Sequence, residues 1–241
     1  MAGPKPQNGF ASISETVGAF ARGEFVIVLD SLDRENEGDL MIAADAVTTN
    51  KMAFMIRHTS GYVCVAIPES RANELDLPLM VTEGADPTRC AYSITVDGAD
   101  PSISTGISAH DRALTCRTLA DATSTRANIR RPGHMLPLRA VDAGVRARRG
   151  HTEAAVELCR LAGRRPAGVL CEMVLDGEPP AAATQQGRGR AQTEYVGAGM
   201  MRRDDCLAFG RQWGIKVCTI RDLVAYVEDK EGRLATPGVD Y

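Results

Sequence analysis

Short apolar runs that alternate with capped, helix-like segments are the feature of this sequence that most constrains its fold. The runs EFVIVLD, GYVCVAI, YSITVD, AGVLCEMVL and IKVCT have the length and the β-branched content of strands. Helical patterns lie between them along the whole chain. This interleaving favours a layered α/β arrangement over an all-α or an all-β fold.

Helix starts are marked by short polar side chains that can accept from a backbone N–H, several of them with an acid three residues later. The predicted helices are a short one after Ser12, NKMAFMIRH from Thr49, RALTCRTLADA after Ser108, EAAVELCRLAG from Thr152, CLAFGRQWG after Asp204 or Asp205, and a last one from Thr219. Gly163 is predicted to cap the C-terminus of the helix that Thr152 opens.

Size and charge restrict the class of protein. The chain has 241 residues, a net charge of −3 and seven cysteines. One domain of this length can bury a substantial core, and the charge gives no general attraction to nucleic acid or to a membrane. An odd number of cysteines without a C-x-x-C pair argues against a disulfide framework or a zinc ribbon. The first ten residues lack an apolar signal core, so we expect a cytoplasmic protein.

Composition also sets the expected limits of the domain. We expect a mobile N-terminus over residues 1–11, a single domain over 12–229 and a solvated C-terminal tail over 230–241. The stretch 176–200 is rich in Pro, Gly, Ala and Gln, and it is predicted to form a long surface loop within the domain. No apolar run approaches the roughly 18 residues of a membrane span.

An acidic segment, DRENEGD, follows directly after the first predicted strand. Its four acids have i, i+2 spacing: Asp33, Glu35, Glu37 and Asp39. In an extended chain all four would project from one side. Like charges on one face are unfavourable unless solvent or a cation neutralises them. The segment is therefore either a solvated acidic turn or a cation site.

An arginine-rich region lies at 126–149, with seven arginines, no lysine and one acid, Asp142. The planar guanidinium group suits bidentate contacts to phosphate. The region ends in RARRGHTEA, which leads into a predicted helix whose N-terminal N–H groups favour the same kind of anion. A solvated basic face is the plainer alternative. Nucleic acid is disfavoured because the region lacks aromatic residues for base stacking.

Four histidines are further candidates for metal binding or proton transfer. His58 at a helix end and His110 in a capping segment have plain structural interpretations. His134 and His151 lie in predicted loops, where functional side chains concentrate. An acidic loop that faces a basic, histidine-bearing loop suggests a magnesium site with a small phosphorylated metabolite, because magnesium prefers carboxylate oxygens and bridges to substrate.

Seven motifs, in order, resemble the 3,4-dihydroxy-2-butanone 4-phosphate synthase family: DRENEGD, IRHTSGYVCV, LDLPLMV, TGISAHDR, RRPGHMLPLRA, RRGHTEAAVELCRLAG and GVLCEM. The similarity covers about 24–176 and about 199–227, and it is closest to the stand-alone, fungal-like form. The resemblance implies an α+β fold: a single domain of three layers, with a mixed twisted β-sheet flanked by helices. It also implies a homodimer whose active sites lie near the interface.

The resemblance further implies a reaction. Members of the family convert D-ribulose 5-phosphate to L-3,4-dihydroxy-2-butanone 4-phosphate and formate in riboflavin biosynthesis. The steps are enolisation, dehydration, skeletal rearrangement and loss of C-4, with Mg²⁺ or Mn²⁺ and no organic cofactor.

Carried over motif by motif, the resemblance assigns roles to residues of this chain. The metal ligands are Glu35 and His151. The catalytic residues are His134, Glu172, Glu37 and Asp39. The substrate-binding residues are Arg34, Glu35, Asp39, Thr105, Asp111, Arg148, Arg149, Gly150, His151, Thr152 and Glu172. Cys64 is a candidate redox-sensitive thiol, although its apolar strand also fits the core, and Asp111 also fits a plain helix cap.

Two other classes of function remain open on the residues alone. A metal-dependent aldolase or isomerase that acts on another sugar phosphate would share the acidic and arginine-rich loops, but only the synthase releases formate. A non-catalytic sugar-phosphate or nucleotide-binding module would be expected to lack Glu35, His151 or Glu172, and all three are present. The synthase reaction is therefore the prediction.

Overall fold

The computed structural model describes residues 9–83, 90–177 and 195–235. Its α-helices are α1 (Ile13–Ala21), α2 (Thr49–His58), α3 (Glu69–Glu74), α4 (Ala109–Ala120), α5 (His151–Leu161), α6 (Arg203–Trp213) and α7 (Ile220–Glu231). Its strands are β1 (Val26–Leu29), β2 (Gly38–Ala43), β3 (Cys64–Pro68), β4 (Val96–Gly98), β5 (Ile129–Ala140), β6 (Gly168–Glu172), β7 (Val174–Leu175), β8 (Gly199–Met200) and β9 (Lys216–Thr219).

Seven of these strands form one mixed sheet in the order β4-β5-β3-β6-β2-β1-β9. The pairs β1/β9 and β3/β5 are parallel, and the other neighbours in the sheet are antiparallel. Strands β7 and β8 form a separate antiparallel ribbon. The implied α+β fold with a mixed sheet flanked by helices is confirmed.

Two apolar clusters cover the opposite faces of the sheet. On β2, Leu40 and Ile42 join the cluster that contains core residues of α2, α3, α4 and α6. The alternate residues Met41 and Ala43 join the other cluster, with α1, α5 and α7. Because strand side chains point alternately to the two faces, one short strand contributes to both clusters. The result is three layers.

Most predicted helix starts are confirmed to within a residue. Ser12 forms a reciprocal capping box at α1, and the side chain of Thr219 accepts from a backbone N–H of α7. The cap of α2 is Thr48 rather than Thr49. Helix α5 begins at His151, before Thr152, and its N-cap is Gly150. The imidazole of His151 is consequently set at the very start of a helix.

Strand β5 contradicts the expectation that His134 lies in a loop. The pair Pro132-Gly133 is a turn signal in the sequence, so no strand was expected there. In the fold, a Cβ on Gly133 would lie 2.1 Å from the carbonyl carbon of Val96. Glycine therefore lets β4 approach β5 closely, beside an irregularity in their pairing. His134 lies inside β5 as a result.

The acidic segment is a turn and not an extended chain. Residues 32–35 turn between β1 and β2, and Asn36 has a φ of +54°. Asp33 is exposed, whereas Asp39 is buried at the start of β2. The extended arrangement with all four acids on one side is therefore not formed: Glu35, Glu37 and Asp39 line one pocket, whereas Asp33 is exposed in the turn.

The described ends of the domain extend slightly beyond their predicted limits. The backbone N–H of Ala11 donates to Val217 at 2.8 Å. Helix α7 ends at Glu231, whose carboxylate pairs with Arg146 and Arg160. The rest of the predicted N-terminus (1–8), most of the 176–200 loop (178–194) and the end of the tail (236–241) lie outside the described residues. Within the described ranges, no helix has the length and apolar character to cross a membrane.

Candidate active site

The turn between β1 and β2 is organised by Asp30, the residue that ends the first apolar run. Its Oδ2 accepts from the backbone N–H of Glu35 at 3.0 Å, and its Oδ1 accepts from that of Glu37 at 2.8 Å. Nη1 of Arg34 lies 3.0 Å from Oδ2 and also contacts the Glu35 carboxylate. Asp30 was not among the predicted site residues. The i, i+4 spacing between Asp30 and Arg34 is the local signal that could have identified it.

Arg202, the N-cap of α6, holds the same turn from outside. Its Nη1 donates to the carbonyl oxygen of Glu35 at 2.9 Å and to that of Asn36 at 2.5 Å. Two backbone carbonyls of the acidic turn are thus fixed by a residue more than 160 positions away in the chain. This contact was not predicted, because no local sequence pattern indicates it.

His151 faces the acidic turn with one nitrogen. Its Nδ1 lies 3.7 Å from Oε2 of Glu35 and 3.8 Å from Oδ1 of Asp39. Its Nε2 lies 3.2 Å from the carbonyl oxygen of Val28. A carbonyl only accepts, so this contact places a hydrogen on Nε2 and directs Nδ1 toward the carboxylates. This is the arrangement by which a backbone carbonyl orients a metal-binding imidazole.

Carboxylates crowd the space beside His151. Glu35, Glu37, Asp39 and Glu172 all line one pocket with Arg34 and His151. Burial raises the pKa of Asp39 to about 7, and the other three acids add to the rise while His151 opposes it. Burial, followed by Glu35 and Glu172, raises the pKa of Glu37. The nearby imidazole of His151 lowers the pKa of Glu35.

Glu172 ends β6 directly opposite Asp39, because the two residues are register partners in the sheet. Its Oε2 accepts from the hydroxyl of Ser60 at 2.8 Å, and its carbonyl accepts from the N–H of Ser60 at 2.9 Å. The carboxylate is therefore held in one orientation at the pocket wall. Ser60 belongs to the motif IRHTSGYVCV but was not among the predicted site residues.

The opposite wall of the pocket is less polar. Cys64, Cys90, Tyr92, Leu138 and Leu170 line it. Burial raises the pKa of the Cys64 thiol well above its ordinary value, with Glu172 adding to the rise. Since the thiolate is the reactive form, this environment disfavours the redox sensitivity suggested for Cys64. Tyr92 and Cys90 were not predicted as lining residues.

The arginine-rich region does not form one basic surface. Arg126 and Arg131 pair with Asp76, Arg139 with Glu69, and Arg146 with Glu231. Four of the seven arginines that were expected to bind phosphate thus form separate ion pairs instead. The reason is that the chain before, along and after β5 brings these arginines next to different acids.

Arg148 and the residues after it lie at the start of α5. Nη1 of Arg148 donates to Oε2 of Glu153 at 2.6 Å, and both side chains are buried. A Cβ on Gly150 would lie 2.4 Å from that Nη1. Glycine therefore allows the ion pair to close over the helix start. Gly150 offers no side-chain cap to α5, while Thr152 lines the pocket.

A second group of predicted residues lies outside this pocket lining. His134 pairs with Asp97, and the segment of Thr105 and Gly106 lies against that pair. Oδ2 of Asp111 accepts from the N–H of Gly106 at 3.0 Å. The fold therefore brings the predicted site residues together as two clusters: the pocket cluster, and a cluster around His134.

The pocket fits a hard divalent cation. Asp30, Glu35 and His151 each offer a ligand atom, and these atoms lie within 4.8 Å of one another. Both carboxylate oxygens of Asp30 already accept from backbone N–H groups, which leaves Glu35 and His151 as the better pair. Oδ1 of Asp39 is buried without a hydrogen-bond donor. Although burial opposes it, the attraction of Asp39 and Glu35 raises the pKa of His151 to about 9, so positive charge is favoured at this point.

Comparisons with known proteins show which proteins this chain resembles. Residues 14–226 match the family model of 3,4-dihydroxy-2-butanone 4-phosphate synthase. The 3,4-dihydroxy-2-butanone 4-phosphate synthase of Pyricularia oryzae is 55% identical over 233 residues, which cover 97% of this chain and 96% of that protein. The riboflavin biosynthesis protein RibBA of Salinispora arenicola is 44% identical over 217 residues, which cover 90% of this chain and 47% of that longer protein.

A solved structure has the same fold. The crystal structure of a 3,4-dihydroxy-2-butanone 4-phosphate synthase in complex with two magnesium ions superposes with a TM-score of 0.86. It is 56% identical to this chain, and the match covers 93% of this chain and 100% of that one.

Proposed function

This chain belongs to the 3,4-dihydroxy-2-butanone 4-phosphate synthase family, and from that premise we propose that it converts D-ribulose 5-phosphate to L-3,4-dihydroxy-2-butanone 4-phosphate and formate. The product serves riboflavin biosynthesis, in keeping with the name of the bacterial relative. The observation that carries the proposal is the pocket in which Glu35, Asp39, Glu172 and His151 face one space.

Glu35 and His151 are the proposed ligands of Mg²⁺ or Mn²⁺. Their carboxylate and imidazole suit such a cation, and the relative of known structure was solved with magnesium. When bound, the cation supplies positive charge to which vicinal substrate oxygens are attracted. The excess of acids over bases in the pocket supports this assignment.

The carboxylates of the pocket that are not proposed metal ligands are the proposed proton-transfer groups. Glu37, Asp39 and Glu172 line the same pocket, so each is in reach of a bound sugar phosphate. Asp39 is buried and Glu172 is held by the hydroxyl of Ser60, so both carboxylates have fixed positions at the pocket. Protons can therefore be moved during enolisation and dehydration by side chains, with no organic cofactor.

The start of α5 is the proposed phosphate and hydroxyl site. Backbone N–H groups in its first turn and the hydroxyl of Thr152 favour an anion there. Arg34 contributes positive charge from the acidic turn. Arg148 and Arg149 precede Gly150, and the buried ion pair of Arg148 with Glu153 fixes the shape of this corner.

A homodimer is the proposed working state. His134, Thr105 and Asp111 are implied site residues, yet they do not line the pocket of their own chain as the structure describes it. Exposed apolar side chains lie close to each cluster in sequence, Tyr62 before β3 and Ile107 next to Gly106. We place His134 and Thr105 of a second copy at the open side of the pocket. The proposed location is the cytoplasm, because the seven cysteines form no disulfide within the described residues and so suit a reducing environment.

The test is release of labelled formate. The purified protein is incubated with D-ribulose 5-phosphate that carries ¹³C at C-4, with Mg²⁺ or Mn²⁺, and the products are followed by NMR. The proposal expects ¹³C-formate together with a four-carbon phosphate, and a Glu35→Gln variant serves as the inactive control. Five-carbon isomers or an aldol cleavage without formate would instead show a metal-dependent isomerase or aldolase.

A further inference from the structure

We propose that Asp97 is a positioning residue that holds His134 in the tautomer whose Nε2 can accept a proton. The inference rests on the proposed function and on the catalytic role that the family resemblance implies for His134. Asp97 lies on β4 and His134 on β5, so the pair is formed by neighbouring strands 37 residues apart in the chain.

Asp97 contacts His134 with both carboxylate oxygens. Its Oδ1 accepts from the backbone N–H of His134 at 2.9 Å, and its Oδ2 lies 2.8 Å from Nδ1 of the same residue. The Asp97 side chain is 10% exposed, whereas that of His134 is 42% exposed. The carboxylate is thus buried behind the imidazole, and the opposite edge of the ring, with Nε2, faces outward.

This contact selects one tautomer. A carboxylate has only acceptors, so the hydrogen between Asp97 and His134 is carried by Nδ1. Nε2 is then the basic nitrogen. When Nε2 takes a proton, the proton on Nδ1 stays where it is, in the hydrogen bond to the carboxylate. The same hydrogen bond therefore holds the ring in one orientation and leaves Nε2 as the acceptor.

The segment around Gly106 closes over the pair. Gly106 has a φ of +96°, and a Cβ there would lie 2.1 Å from Oδ2 of Asp97 and 2.6 Å from Nδ1 of His134. Asp111 holds the segment by accepting from the N–H of Gly106 and from the hydroxyl of Ser104. This contact shields the Asp97–His134 hydrogen bond from water. Asp111 then anchors the segment around Gly106 and does not bind substrate directly.

The decisive variant is Asp97→Asn. Asparagine keeps an oxygen that can accept from the backbone N–H of His134, but its NH₂ group then faces Nδ1 and favours the opposite tautomer. We expect kcat for formate release to fall by about 100-fold or more, with KM nearly unchanged, because general acid–base contributions are of this size. Asp100→Asn, three residues along the chain and exposed, is the matched control and should keep normal activity.

A second readout does not depend on activity. In the full-length protein, ¹⁵N chemical shifts of His134 should show hydrogen on Nδ1 in the wild type and on Nε2 in Asp97→Asn. Wild-type protein with hydrogen on Nε2 overturns the proposal, and this measurement decides even where the variant does not fold.

The two proposals can fail separately. Full kcat in Asp97→Asn, alongside lost kcat in His134→Ala, would overturn the positioning role and leave the synthase reaction standing. Wild-type protein that releases no formate would overturn the synthase reaction and, with it, the catalytic purpose of the pair.

Discussion

At the scale of single residues, the pocket depends on one imidazole and the acids that surround it. The carbonyl of Val28 orients His151 so that Nδ1 faces Glu35 and Asp39. Asp39 has a buried oxygen without a donor, and its partner across the sheet is Glu172. Such a concentration of negative charge is stable only with a proton or a cation among the groups. A metal ion and a proton therefore compete for the same place.

Removing either proposed ligand tests this directly. Glu35→Gln and His151→Ala should each lower Mn²⁺ affinity and formate release by more than about 100-fold, since loss of a residue that merely supports a ligand already costs about 10–100-fold. Titration calorimetry and the formate assay measure the two effects. Asp33→Asn, exposed in the same turn, is the control and should bind normally. Near-normal activity of a ligand variant at limiting metal would show that its assignment is wrong.

Glu172→Gln separates binding from proton transfer. Glutamine can still accept the Ser60 hydrogen bond but cannot take up a proton, so substrate binding should persist while formate release falls by about 100-fold or more. Exchange of the C-3 proton with deuterated solvent, followed by NMR, then orders the steps. Exchange without formate would place Glu172 after the first enolisation, and loss of both would make it the first base. Formate release at the wild-type rate would remove it from the mechanism.

At the scale of elements, the acidic turn is shaped by contacts with other parts of the chain. Asp30 accepts two backbone N–H groups within the turn, and Arg202 binds two of its carbonyls from the start of α6. A turn that carries a metal ligand must be held firmly, because a misplaced ligand binds the metal more weakly. Helix α6 thus contributes to the site without lining the pocket.

Arg202→Ala should therefore weaken metal binding. The expected loss is about 10-fold or more in Mn²⁺ affinity, within the range found for groups that orient ligands, with the melting temperature nearly unchanged. Arg211→Ala removes an exposed arginine of the same helix and serves as the control. Equal Mn²⁺ affinity in both variants would mean that the acidic turn keeps its shape without Arg202.

At the scale of the whole molecule, the implied site residues fall into two clusters on one chain. The pocket contains Glu35 and His151, and the other cluster is built on His134, Asp97 and Gly106. In the proposed homodimer, the twofold axis would bring the first cluster of each copy beside the second cluster of the other. A dimer would then have two composite sites.

Complementation tests this arrangement. Glu35→Gln and His134→Ala are each expected to be inactive alone. When they are denatured, mixed in equal amounts and refolded together, about a quarter of wild-type activity should return, because half of the dimers are mixed and each holds one intact site. Absence of recovery, with mixed dimers demonstrated by mass spectrometry, would place both residues in the site of a single chain.

The sequence by itself determined the alternation of strands and helices, most helix starts and the motifs of the pocket. Helix capping depends on residues only three apart in the chain, such as Ser12 and Glu15, so it can be predicted from the sequence. The strands can be predicted because a buried strand requires a continuous run of apolar residues. The motif residues Glu35, Asp39, His151 and Glu172 line one pocket.

Only the tertiary structure decided the remainder. Strand β5 runs through a Pro-Gly pair because β4 packs against Gly133, and the arginines after 126 are separated by ion pairs to distant acids. The roles of Asp30, Arg202 and Asp97 likewise come from partners that a local pattern does not show. Each of these features depends on groups far apart in the chain, whose proximity exists only once the sheet has formed.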